Sequence, residues 1–196
     1  MATGIIAGIT TTPTFFVRDG VNPHDFYNKI SNKYPDIDLQ VELMGDNDEE
    51  LNNNLKGLMD LNIPLTFKIP ISTTAVAFAA RNKYRFNFHL VYNVSQAIFA
   101  ALAGATFICP LLGRFDDNGF DGVSLYKKIK KALVMNGFDT KVMASSIRTT
   151  NHLTRLFSTT NVDAITLPPD ILKKCMNNLL TDNGVALFKK DLQQIK

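Results

Sequence analysis

Leu65-Thr66-Phe67-Lys68-Ile69-Pro70-Ile71 and, one helical segment later, Phe86-Asn87-Phe88-His89-Leu90-Val91 are short apolar runs interrupted by single polar residues. Near-continuous apolar runs of this kind read as parallel strands covered on both faces. The same signature recurs outward in both directions, at 4–9, 38–43, 106–110, 141–145 and 163–167, so seven strands are predicted. Within 86–91 the strand period of two puts Asn87 and His89 on one face and the phenylalanines on the other.

The segments between the runs carry helical periodicity. Leu51, Leu55, Leu58 and Met59 share a face behind an acidic start at Asp46, Asp48, Glu49 and Glu50, which suits a helix N-terminus. Val123, Tyr126, Ile129 and Leu133 follow Asp121, with Lys127, Lys128, Lys130 and Lys131 on the wet side. Val185, Phe188, Leu192 and Ile195 form a last stripe. Strand–helix alternation without a Gly/Ser linker predicts one α/β domain over 1–196 with a parallel sheet. No GxGxxG or GxxxxGK[ST] is present, so neither nucleotide-binding turn has support. The strand spacing suits a (β/α) barrel, although seven strands are one short of the eight such a barrel uses.

Composition narrows the function. In 196 residues, 21 Lys and Arg against 18 Asp and Glu leave +3, with 45% hydrophobic residues. That argues against disorder and against binding nucleic acid by bulk charge, while leaving room for a small anion held by a few local cations. Cys109 and Cys175 form no CxxC pair, and so few cysteines suit a reducing compartment. His24, His89 and His152 lack zinc-ligand spacing. The start, at 1–8, lacks the charge of a secretory signal. The longest apolar stretch, at 97–113, is interrupted and short for a bilayer. A cytoplasmic protein that binds no membrane is expected.

In a (β/α) barrel the reactive groups stand at the C-terminal ends of the strands. Polar residues there are Glu42, Lys68, Asn87, His89, Arg114, Ser145, Ser146 and Arg148. A lysine among apolar neighbours is disfavoured in its charged form, which suits an amine that attacks a carbonyl. Lys68 could equally be a strand-end lysine snorkelling to water. Glu42 on the preceding strand could move protons or act only as a salt-bridge partner. Arg114, Ser146 and Arg148 together could hold a phosphate, though singly each reads as a surface residue.

Several blocks resemble the small transaldolases and fructose-6-phosphate aldolases. These are Gly8-Ile9-Thr10-Thr11-Thr12-Pro13-Thr14, Phe67-Lys68-Ile69-Pro70-Ile71-Ser72, the stretch from Asn87 to Ala105, Pro110-Leu111-Leu112-Gly113-Arg114-Phe115-Asp116-Asp117, and Lys141-Val142-Met143-Ala144-Ser145-Ser146-Ile147-Arg148. They occur in the family's order over nearly the whole chain. The resemblance implies a barrel in which Lys68 forms a Schiff base with a ketose phosphate and Glu42 acts with a water as acid/base. Asn87 would hold substrate hydroxyls, Thr10 and Thr12 would line the substrate, and Arg114, Ser146 and Arg148 would anchor phosphate. It implies transfer of a dihydroxyacetone unit with no cofactor and no metal, and homo-oligomers, pentamers or decamers, built through C-terminal helices.

Glu42 in place of the aldolase branch's glutamine, and Leu111 in place of its tyrosine, favour transfer over simple cleavage. The chain also departs from the family. The first strand and its aspartate have no counterpart, Thr12 replaces an asparagine, and His89 replaces a threonine that positions the catalytic water. His89 is expected to contact that water and partly substitute. A degenerate relative that binds sugar phosphate without turnover is the alternative.

Overall fold

The computed structural model describes residues 4–59, 61 and 63–195. Seven parallel strands run in chain order: β1 (Gly8–Thr10), β2 (Asp38–Glu42), β3 (Leu65–Pro70), β4 (Phe86–Val91), β5 (Phe107–Pro110), β6 (Lys141–Ala144) and β7 (Ala164–Ile165). The helices are α1 (Pro13–Asp19), α2 (Pro23–Lys33), α3 (Asp48–Leu58), α4 (Thr73–Arg81), α5 (Val94–Leu102), α6 (Leu112–Asp116), α7 (Gly122–Met135), α8 (Thr150–Thr159), α9 (Pro169–Met176) and α10 (Leu179–Leu192).

The expected α/β barrel wall is present. The first strand begins later than predicted, because only from Gly8 does the chain lie opposite β2, Gly8 pairing with Asp38. Ile5 and Ile6 remain exposed. The seventh strand shrinks to two residues that pair with Met143 and Ala144.

Strand pleating sorts the side chains. Leu39, Val41, Phe67, Ile69, Phe86 and Phe88 join the core beneath the helices. Their alternates Gln40, Glu42, Thr66, Lys68, Asn87 and His89 bond to one another or to nearby inner groups. The barrel interior is therefore polar and its outer layer apolar, the reverse of a one-sided sheet.

Tight caps anchor the turns that leave the strands. Asn47, Ser72, Asn93 and Thr149 each accept the backbone N–H three residues on, opening α3, α4, α5 and α8. Each cap stabilises its helix by about 1 kcal/mol and holds the turn that carries the strand-end residues.

Edges β1 and β7 share no backbone ladder, but Thr10 Oγ1 lies 2.7 Å from Thr166 Oγ1. Two threonine side chains and that bond span roughly 7.5 Å between Cα atoms. Strands on either side of a third would be about 9.5 Å apart. The edges have thus drawn together at this level.

The stripe on α10 does not pack on the barrel: Val185, Phe188, Leu192 and Ile195 are all exposed. Among the described residues, no helix is long and apolar enough to cross a membrane.

Candidate active site

Register places the central groups. Glu42 on β2 stands beside Lys68 on β3, and Lys68 beside Asn87 on β4, while His89 lies one pleat nearer the strand ends, level with Pro70 and Cys109. Lys68 Nζ donates to the Thr11 carbonyl oxygen at 2.6 Å and to Glu42 Oε2 at 3.1 Å. His89 reaches across β3, so that its Nε2 lies 2.5 Å from Glu42 Oε1. One carboxylate therefore holds a lysine and an imidazole, one on each oxygen, with all three side chains nearly buried.

The electrostatics follow from this packing. Burial pushes the Glu42 carboxyl up, but the hydrogen bond from His89, with the charge and hydrogen bond of Lys68, holds it below the ordinary glutamate value. Burial pushes the Cys109 thiol up, which keeps it protonated. Lys68 is thus buried as its apolar neighbours predicted, but it is not isolated: it has a carboxylate and a carbonyl for partners.

A cavity of about 570 Å³ opens over this group. Thr10 and Thr12 line it from the end of β1 and just beyond, Lys68 and His89 from β3 and β4, Arg114 from α6, and Ser146 from the turn after β6. Thr12 precedes α1 without capping it, leaving its hydroxyl free of the helix. Arg114 forms no salt bridge among the described residues. Ser146 has φ of 56°, a left-handed conformation that costs a non-glycine residue on the order of 1 kcal/mol. Its carbonyl accepts from Gly113 N at 3.0 Å, which couples the segments that carry Arg114 and Ser146.

Two residues stand apart from this cavity. Arg148 donates from a guanidinium nitrogen to Asp117 Oδ1 at 2.5 Å and is not among the cavity's lining residues. Asn87 is completely enclosed beneath it, and its Oδ1 has no partner among the described residues.

Two contributors were not anticipated. The Thr11 carbonyl oxygen has no sequence signature, since any residue supplies one. Gln40, bonded to Asn87 Nδ2, shares the inward face of β2 with Glu42, and the period of two was the signal that marks it.

A family model described as transaldolase/fructose-6-phosphate aldolase matches residues 61–196. A probable transaldolase of Dehalococcoides mccartyi is 30% identical over 98% of this chain and 91% of its own length. One from Phocaeicola vulgatus is 32% identical over 99% and 91%. Among solved structures, an inosine 5′-monophosphate dehydrogenase from Legionella pneumophila superposes with a TM-score of 0.54 at 11% identity, over 80% of this chain and 53% of that one. A mandelate oxidase mutant with an FMN adduct does so with 0.52 at 14%, over 71% and 50%. The chain spans about half of each of those two structures, and at such identities the likeness shows the fold alone.

Proposed function

The chain belongs to the transaldolase/fructose-6-phosphate aldolase family, and from that premise we propose that it transfers a dihydroxyacetone unit between sugar phosphates through a Schiff base on Lys68. The observation that carries this reading is a buried Lys68 Nζ, 3.1 Å from a carboxylate, that lines a cavity with a cation and a hydroxyl at its far turns.

The amine attacks the C2 carbonyl of a ketose phosphate to give a carbinolamine. Glu42 accepts and returns protons as water leaves, and an iminium forms. The iminium takes the electron pair of the breaking C3–C4 bond, so the chemistry asks for no metal or organic cofactor. An aldose phosphate departs, the enamine adds to a second aldose phosphate, and hydrolysis frees Lys68. Arg114 and Ser146 hold the phosphate by a forked cation and a hydroxyl. Thr10 and Thr12 line the sugar, and Asn87 contributes an acceptor beneath it. Arg148 joins the phosphate site only by releasing Asp117.

Leu111, which also lines the cavity, favours transfer over release because it offers no hydroxyl to activate a hydrolytic water. One barrel domain over 1–196 carries this chemistry in a cytoplasmic protein with free cysteines. The exposed α10 stripe supports self-association.

Borohydride reduction after incubation with fructose 6-phosphate tests the reading. The expected result is a mass increase confined to Lys68. Formation of sedoheptulose 7-phosphate on adding erythrose 4-phosphate then identifies transfer, whereas free dihydroxyacetone identifies aldol cleavage. No adduct at any pH leaves a non-catalytic sugar-phosphate binder.

A further inference from the structure

We propose that His89 is the general base of the carbon–carbon bond-breaking step, with Glu42 fixing the tautomer that leaves its Nδ1 as the acceptor. This deepens the Schiff-base reading and rests on it.

The argument begins with the bond between His89 Nε2 and Glu42 Oε1, 2.5 Å long. A carboxylate only accepts, so Nε2 must carry the proton. In a neutral imidazole the other nitrogen then holds the lone pair. Nδ1 has no hydrogen-bond partner among the described residues, and it is not among their buried unpaired atoms. His89 lines the cavity, so the free nitrogen belongs to the substrate side. The arrangement is an imidazole oriented by an acid, which is how side chains are built to take protons.

Position supports the step. Lys68 fixes the C2 carbon, and the C4 hydroxyl lies farther along the sugar. His89 stands one pleat beyond Lys68 toward the strand ends.

Other titratable groups in and beside the cavity are less suited. Glu42 is not among the cavity's lining residues, and both its oxygens are engaged, by Lys68 and His89. Burial raises the Cys109 thiol. Asp19 is tied to Arg18 and Asp170 to Lys174, both at the exposed rim. Arg114 has no basic lone pair at neutral pH.

In the step itself, Nδ1 takes the proton of the C4 hydroxyl. The O–H electrons form the C4 carbonyl, and the C3–C4 pair becomes the C2–C3 bond of the enamine. The iminium nitrogen loses its charge and the imidazole gains it. In the reverse direction, the enamine attacks the incoming aldehyde and the imidazolium returns the proton to the new alkoxide.

Two measurements on the full chain test the assignment. The first is a long-range ¹H–¹⁵N correlation spectrum of the ring nitrogens. Only His24, His89 and His152 contribute signals, and His89→Gln identifies the relevant set. A neutral Nε2–H tautomer is expected, and an Nδ1–H tautomer or a doubly protonated ring overturns the proposal.

The second is kinetic. His89→Gln can still donate to Glu42 but has no base, so a merely structural role would be rescued. Dihydroxyacetone supplied directly, which needs no bond cleavage, should still be trapped on Lys68 at wild-type yield, while kcat for transfer falls at least about 100-fold, the lower end for a lost general base. A His89→Gln variant within a few-fold of wild-type kcat overturns the role of His89 alone. A wild-type protein that forms no adduct overturns the Schiff-base reading and this step together, a distinguishable result.

Discussion

Asn87 Nδ2 donates to Gln40 Oε1 over 2.6 Å, and that bond decides which way round the Asn87 amide sits. Gln40 is itself oriented, because its Nε2 donates to Asp38 Oδ2, and Asp38 is pinned by Thr66 and by both terminal nitrogens of Arg85. A carboxylate at the base of the chain sends a donor toward itself at each link. The oxygen left over, Asn87 Oδ1, is the acceptor without a partner.

Gln40→Leu removes this orientation while conserving bulk. Under the Schiff-base reading, kcat should fall about tenfold, the equivalent of one hydrogen bond of about 1.4 kcal/mol. Asn87→Ala should fall as far. A double-mutant cycle is the decisive measurement: the two losses should not add, since both act through one amide. Additive losses would place Gln40 outside the site's chemistry.

Gly113 sits where a side chain cannot. A Cβ there would collide with the Ser146 carbonyl oxygen and lie 2.8 Å from Arg148 Cγ and Nε. Gly113→Ala should push the Ser146 turn away from Arg114. KM for a phosphorylated ketose should rise at least about tenfold, in line with one displaced charge-assisted contact. Turnover of an unphosphorylated donor at saturation should change little, and parallel kinetics with the two donors check this.

Much of this was legible from sequence, for identifiable reasons. The 86–91 strand was read with its observed bounds because alternation and apolar content agreed there. Lys68 stands out as a single cation between Phe67 and Ile69, but its position alone suits a snorkelling lysine as well; burial beside Glu42 separates the two readings. Geometry supplied what linear patterns cannot. Ile5 and Ile6 look like strand, yet the ladder with β2 begins only at Gly8 and both stay exposed. Arg148 closes the 141–148 block, but Asp117, at the end of α6, pairs with it. The reach of the His89 ring across β3, which puts it directly on Glu42, has no signature in the linear pattern.

Tyr126 ties α7 to the sheet. Its hydroxyl donates to the Val142 carbonyl at 3.1 Å and accepts from Asp163 N at 3.2 Å. Burial pushes the phenol up to about 12. Tyr126→Phe strands both backbone groups and should cost about 1–3 kcal/mol. Urea unfolding should show a lower midpoint with an unchanged slope. The wild-type protein should also lose stability as pH rises from the ordinary tyrosine value toward 12, because the unfolded chain gives up its proton first. The variant should lack that component.

Glu42 makes the opposite prediction at acid pH. Its folded-state value lies below the ordinary glutamate value of 4.5, so the unfolded chain binds its proton first as pH falls. The stability it contributes is complete above the unfolded value and disappears as pH falls through the folded one. Glu42→Gln removes that contribution at every pH and leaves Lys68 buried beside a neutral amide, a configuration that destabilises strongly at neutral pH. The difference in Tm between wild type and Glu42→Gln should therefore be largest near neutral pH and shrink as pH falls below 4.5 and through the lower folded-state value. Other carboxylates, common to both proteins, cancel in that difference. A gap that stays constant down to acid pH would mean that His89 and Lys68 do not hold the carboxylate ionised.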